Sequence, residues 1–187
     1  MNEQYTPVRE IEAVQREADC LFSAAEVEAA LDKMAEELNE RLAAANPVVL
    51  ATMIGGVVIA GQLLPRLRFP LSLDYVHVTR YRGATRGGEL HWIRRPPKLI
   101  QGRTVLILDD VLDEAHTLGA IQQACRDAGA TEIVTAVLVE KAVARSTQHD
   151  SVDVVGLKAD NRYLFGYGMD YKHYLRNAPG IYAVKGS

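Results

Sequence analysis

The sequence predicts an α/β fold in which a mostly parallel sheet is flanked by helices. Val105-Leu-Ile-Leu108 is an unbroken apolar run of the kind a strand buried on both faces shows. A helix follows it, with apolar Leu118, Ile121, Cys125 and Ala128 recurring at three and four. Pro47 to Met53 is a second such strand, and after Ile54-Gly55-Gly56 it also leads into an apolar helix. Ile133 to Val139 is a third. Strands that are apolar throughout and alternate with helices are the pattern of a parallel sheet covered on both faces.

Residues 1–22 are polar and mixed, with a short helix expected around Val8–Ala18. Ser23-Ala-Ala-Glu26 is a capping box, in which the Ser side chain accepts the N3 amide and the Glu reaches back. The helix it opens carries Val27, Leu31, Met34, Leu38 and Leu42 on one face and must end by Asn46-Pro47, since Pro disfavours helix in the residue before it. That helix is core packing. The strand from Pro47 to Met53 and the helix from Val57 to about Leu67 enclose Gly55-Gly56, which can bring backbone N–H groups close to an anion or simply make a tight turn. No Lys-[Ser/Thr] follows, which argues against P-loop chemistry.

Leu71, Leu73 and Tyr75 alternate with Ser72 and Asp74, so residues 70–80 read as a strand. His77 continues the Leu71 face as a core or interface residue. Arg80-Tyr81-Arg82-Gly83 through Gly88 breaks the periodicity: it is a basic loop, suited to a lid over an anion or to a solvated hairpin connection. Glu89 to Ile93 is its return strand, and Arg94-Arg95-Pro96-Pro97 a rigid linker. Beyond the central helix, Gly129 is a C-cap, Ile133–Val139 ends in Glu140-Lys141, and Val152–Leu157 is a further strand. Tyr163 to Arg176 packs glycines and aromatics beside Asp170, His173 and Arg176, as a Gly-bent strand would. Asp170 with His173 is too few ligands for a metal site by itself.

The chain's 187 residues, 48% of them hydrophobic, suffice for one domain with a proper core. A net charge of −3 gives no basic field to draw nucleic acid. No apolar run reaches membrane-spanning length, and the N-terminus has no secretory pattern. Cys20 and Cys125 sit in helix-like surroundings without metal spacing, so both are expected to be buried thiols in a cytoplasmic chain.

The chemistry concentrates in Thr104 to Thr117. Here an apolar strand ends in Asp109-Asp110, Asp113 follows two apolar residues later, and a short loop reaches Thr117. Carboxylates at the C-terminal end of a parallel strand, just ahead of a helix N-terminus, lie where open α/β sheets bind phosphorylated ligands. An Asp-rich loop capping a Rossmann-like helix would share the pattern.

With Val139–Lys141 and Tyr163–Arg176, this stretch resembles the hypoxanthine-guanine phosphoribosyltransferases, from about Leu21 to Val184. The resemblance implies the type I phosphoribosyltransferase fold: a core of about residues 40–160 with a small hood from the N- and C-terminal segments. It implies transfer of 5-phosphoribosyl from phosphoribosyl diphosphate to a 6-oxopurine with Mg²⁺, releasing pyrophosphate, in a homodimer or homotetramer. On the same basis Asp109 and Asp110 match the acids that hold the ribose hydroxyls, and Asp113 the catalytic acid near purine N7. Glu114, Ala115, His116 and Thr117 match the 5′-phosphate loop. Ile54, Gly55, Gly56 and Arg176 match pyrophosphate contacts, and Asp170 a Mg²⁺ ligand. Lys141 matches the donor to the purine 6-oxygen, Tyr163 the stacking aromatic, Leu164 the backbone at the base edge, and Tyr81 the lid tyrosine.

Three positions depart from the family pattern. Ile54 replaces a Lys, Glu114 a Thr, and Ala115 a Gly, the last costly if a positive φ is required. These departures favour a rival: a phosphoribosyl diphosphate or nucleotide sensor that has lost the reaction. An enzyme preferring xanthine is a further alternative. Asp113, Lys141, Asp170 and Arg176 together oppose the sensor.

Overall fold

A computed structural model describes residues 6–80, 90–113, 115–143 and 152–187. Helix α1 (Val8–Glu17) and strand β1 (Asp19–Phe22) precede helix α2 (Ala24–Leu42). Then come β2 (Val48–Met53), α3 (Gly56–Leu63), β3 (Ser72–Arg80), β4 (Leu90–Arg94), β5 (Thr104–Leu112), α4 (His116–Asp127), β6 (Glu132–Lys141) and β7 (Val154–Ala159). Two short strands, β8 (Leu164–Phe165) and β9 (Ile181–Ala183), close the chain.

The main sheet has the order β4-β3-β2-β5-β6-β7. Every pairing in it is parallel except that of β3 with β4. The central strands β2, β5 and β6 are buried on both faces, as their unbroken apolar runs require. Val49, Leu106 and Leu108 pack with Leu31, Leu38 and Ile59 from α2 and α3, while Val48, Leu50, Val105 and Ile107 pack with Leu118, Ile121 and Cys125 from α4. A fully buried leucine such as Leu31 or Leu106 contributes about 1.5–3 kcal/mol of transfer free energy. The capping box opens α2: Glu26 Oε2 accepts from Ser23 N at 2.8 Å and Ser23 Oγ from Glu26 N at 3.4 Å.

Strand order reverses between β2 and β5. The connection from β2 runs outward to β3, and that from β5 outward to β6. The C-terminal ends of β2 and β5 therefore bracket the crevice in which open α/β sheets bind ligands. Over that crevice sits a second sheet, order β1-β9-β8, in which Asp19 pairs with Ala183 and Leu164 with Ala183 from the other side. It joins segments from opposite ends of the chain into the hood.

Four sequence expectations are corrected. The third helix stops at Leu63 and continues as a 3₁₀ turn over Leu64–Arg66, where Pro65 lacks the N–H an α-turn needs. Strand β5 does not stop at the acids but runs through Leu112, because β6 goes on pairing with it, Val111 with Val139 and Leu112 with Glu140. Residues 163–176 form a two-residue strand followed by tight turns rather than a bent strand. Cys20 lies exposed on β1, whereas Cys125 is buried and its thiol is pushed up to about 12 by that burial.

Candidate active site

The end of β5, the end of β6 and the segment running through and beyond β8 meet around one cavity of about 260 Å³. It is lined by Asp110, Val111, Asp113, Lys141, Tyr163, Leu164, Met169 and Asp170. Six of these, Asp110, Asp113, Lys141, Tyr163, Leu164 and Asp170, come from three separate stretches of the sequence and are among the residues the resemblance singled out. Val111 and Met169 were missed, since an apolar residue at a cavity wall reads as core.

The acid pair divides. Adjacent residues of a strand point to opposite faces. Asp109 turns to Thr52, whose hydroxyl donates to it and also to the Leu108 carbonyl at 3.1 Å. Asp110 turns to the cavity and lies against Gly55, where a Cβ would stand 1.9 Å from Asp110 Oδ2, so only glycine fits. Burial first, then the neighbouring Asp110 charge, hold the Asp109 carboxyl well above the usual range. Burial also raises Asp110, opposed by the hydrogen bond with Asp109 and the Arg176 charge. Two buried carboxyls this close favour keeping a proton between them.

Lys141 Nζ and Asp113 Oδ2 stand 3.0 Å apart, with the lysine side chain 11% exposed and the aspartate 49%. The lysine stem is confined by the end of β6, as expected, and its ammonium reaches the cavity as one half of this pair. Tyr163, 42% exposed, offers its ring at the rim and meets Tyr171 edge-on at 5.6 Å between centroids. Leu164 is fixed by its pairing with Ala183.

On the opposite wall, Asp170 Oδ1 pairs with Arg176 Nη2 at 2.7 Å, and Asp170 Oδ2 accepts from the His173 amide at 2.7 Å. Arg176 Nη1 donates to the Gly168 carbonyl at 2.6 Å. Among the described residues, no three His, Cys, Asp or Glu side chains converge on one point. A carboxylate at the cavity wall with a buried acid pair nearby is nonetheless a donor set suited to Mg²⁺, which takes one or two carboxylates plus substrate phosphate oxygens.

Ile54, 52% exposed, carries no polar side-chain atom, so at the Ile54-Gly55-Gly56 turn only the backbone offers polar groups to an anion. Ala115 stands at φ 62°, the left-handed region, as the N-cap residue of α4. The positive φ flagged from the sequence is thus real, and this chain holds it with an alanine. His116 and Thr117 form the first turn of α4, whose N-terminal amides suit a phosphate. Glu114 and Tyr81 lie outside the described residues, as does the basic loop over residues 81–89.

The family model for the phosphoribosyl transferase domain matches residues 18–172. The chain is 28% identical over 167 residues to the hypoxanthine-guanine-xanthine phosphoribosyltransferase of Tritrichomonas foetus, covering 89% of this chain and 91% of that protein. It is 26% identical over 166 residues to the hypoxanthine-guanine phosphoribosyltransferase of Streptococcus pneumoniae, covering 88% and 92%. It also matches 26% of the length of the bifunctional protein TilS/HprT of Listeria monocytogenes, at 28% identity over 88% of this chain. Among solved structures, a hypoxanthine phosphoribosyltransferase from Staphylococcus aureus superposes with a TM-score of 0.85 at 23% identity, over 92% of this chain and 95% of that one.

Proposed function

The chain belongs to the phosphoribosyl transferase domain family, and from that premise we propose that it transfers 5-phosphoribosyl from phosphoribosyl diphosphate to a 6-oxopurine, hypoxanthine or guanine, in purine salvage. The products are IMP or GMP and pyrophosphate. The observation that carries this reading is the cavity edge formed by Lys141 and Asp113, 3.0 Å apart. A 6-oxopurine presents a carbonyl oxygen beside the N7 proton. An ammonium has donors only and a carboxylate acceptors only, so the pair complements that edge atom for atom. Each contact is charge-assisted and therefore among the stronger kinds of hydrogen bond.

Roles for the remaining groups follow from charge. The base lies on Tyr163, whose stacking contributes about 1–3 kcal/mol on the scale measured for nucleic-acid bases, with the Leu164 backbone at its edge. Asp113 accepts the N7 proton, or steadies positive charge there, as the glycosidic bond forms. Asp110, which faces the cavity from β5, lies beneath the ribose, and residues 115–117 with the α4 amides hold the 5′-phosphate. Departure of pyrophosphate leaves an oxocarbenium-like sugar and a negative leaving group. Arg176 and the backbone at Ile54, Gly55 and Gly56 face that charge. Mg²⁺, held by Asp170 and substrate phosphates, would supply further neutralisation of the leaving group.

We place this enzyme in the cytoplasm; among the described residues no helix is long and apolar enough to cross a membrane. We propose a homodimer or homotetramer. Beyond α3 the sheet leaves Leu73, Tyr75 and Ile93 exposed at 54%, 38% and 58%, an apolar face suited to a second copy.

The test is a spectrophotometric assay with hypoxanthine, guanine, xanthine and adenine, each with phosphoribosyl diphosphate and Mg²⁺. Adenine sets an amino donor against the Lys141 ammonium, and sites built on such hydrogen bonds reject the wrong analogue by about 10⁴-fold. Activity with hypoxanthine or guanine and essentially none with adenine is the expected result. Lys141→Ala should lower 6-oxopurine kcat/KM by roughly 10- to 100-fold, the size of a lost charged hydrogen bond, and narrow the discrimination. Comparable kcat/KM for adenine and hypoxanthine would overturn the reading.

A further inference from the structure

We propose that Tyr167, Glu28 and Arg66 form a strut that positions the Gly168–Asp170 turn, and through it Asp170 and Arg176, for the pyrophosphate half of the reaction. This rests on the function proposed above and adds residues that do not touch the cavity.

Tyr167 is 7% exposed, and its backbone has φ 50°, a left-handed conformation that a bulky residue rarely adopts. Such a conformation persists only where the surroundings over-determine it. Here the main chain is tied by Tyr167 N to the Ala178 carbonyl and Gly168 N to the Arg176 carbonyl, both at 3.0 Å. The side chain is tied at its far end, where the phenol donates to Glu28 Oε1 on α2 at 2.5 Å. Glu28 Oε2 in turn takes Arg66 Nη2, and Arg66 is fixed by Asp32 Oδ1 at 2.8 Å and the Gln62 carbonyl at 2.6 Å. Burial, then Glu28, hold the Tyr167 phenol well above its usual range, so it remains a donor at any physiological pH. Packing alone would be served by phenylalanine. The hydroxyl anchors the turn to α2, the best-capped helix of the core.

What the strut sets is a close stack. A Cβ on Gly168, which has φ 108°, would stand 2.3 Å from the Gly55 carbonyl, and one on Gly55 would stand 1.9 Å from Asp110 Oδ2. Gly168, Gly55 and Asp110 are thus in contact with no side chain between them. The Gly168 carbonyl accepts from Arg176, which also holds Asp170. Displacement of Tyr167 therefore moves the anion turn, the metal-binding carboxylate and the guanidinium together. The purine edge, Lys141 with Asp113, hangs from β5 and β6 and is independent of the strut.

The variants are Tyr167→Phe, Glu28→Ala and their combination. Misplacement by a fraction of an ångström should raise KM for phosphoribosyl diphosphate or lower kcat by about ten-fold, with KM for hypoxanthine within about two-fold. The double variant should be no worse than Tyr167→Phe alone, as residues acting through one hydrogen bond are non-additive. Hydrogen exchange across residues 164–176 should speed up in each variant, a readout independent of turnover. A merely structural role would lower the melting temperature while leaving both KM values and kcat as they were, and that result overturns the proposal. Unchanged exchange would do the same. If the unmodified protein makes no nucleotide from any purine, the proposed function fails, and the exchange experiment still decides whether the strut exists.

Discussion

Replacing Ala115 by glycine should leave stability almost unchanged, although it removes a buried methyl group. Ala115 is 5% exposed, packs in the α4-side core and holds φ 62°. Left-handed backbone costs a residue with a Cβ roughly 1–2 kcal/mol, and glycine removes that cost. Against it stand about 0.8 kcal/mol for the lost buried methyl and about 0.4–1 kcal/mol for the extra freedom glycine gives the unfolded chain. These terms nearly cancel, so Ala115→Gly should move the thermal midpoint by no more than about 2 °C. The control is Ala60→Gly, 4% exposed and inside helix α3, where no strain is relieved. Glycine in a helix interior costs about 1 kcal/mol and the methyl about 0.8 kcal/mol, so this variant should melt about 4–8 °C lower. Parallel urea titrations of the three ligand-free proteins give the same comparison in free energy. If Ala115→Gly falls as far as Ala60→Gly, there is no strain at the N-cap of α4, and the reasoning from its left-handed φ is refuted.

Asp109→Asn should make the ligand-free protein more stable at neutral pH. Burial and the Asp110 charge raise the Asp109 pKa in the folded state. Below the unfolded value of about 3.9 the group is protonated in both states and contributes nothing. As pH rises from there through the raised folded value, the native state loses stability, and above it the loss is complete. The variant's advantage should therefore be small at pH 4, grow with pH and then level off; an advantage that is the same at pH 4 and pH 8 would refute the raised pKa. Asp170→Asn and Arg176→Ala should each lower kcat by about 10²-fold or more, the scale of losing one preorganised charge at a developing anion, with only a few degrees lost in melting temperature. Normal turnover in both would mean that the 2.7 Å pair they form is a structural ion pair.

The parts of the molecule legible in the sequence are those whose cause is local. The apolar runs of β2, β5 and β6 declare strands buried on both faces, and the Ser23–Glu26 box declares the start of α2. The hood was hardest to read because its strands find their hydrogen-bonding partners only across the length of the chain. Nothing near Asp19–Phe22 signals a strand until Ile181–Ala183 arrives to pair with it, and Leu164–Phe165 is too short to show a period. The same distinction runs through the site. In the sequence, Ala115 is costly only if a positive φ is required where the resembling family has Gly, and that φ is what the structure shows. The Lys141–Asp113 pair joins two strand ends and could be foreseen only as two separate roles.

The acid pair shows how one boundary changes the chemistry assigned. With a strand ending at Leu108, Asp109 and Asp110 are loop residues, and both are free to turn to a ribose. With β5 running to Leu112, they are consecutive strand residues directed to different neighbours, although their carboxyls still share a hydrogen bond. One then meets the Thr52 hydroxyl, and the other the cavity and Gly55. The extension comes from β6, whose own length sets how far pairing continues. Asp110 is thereby the acid aimed into the cavity. Burial and the Asp110 charge push Asp109 toward its neutral form, which relieves the repulsion that two ionised neighbours would suffer in a buried strand.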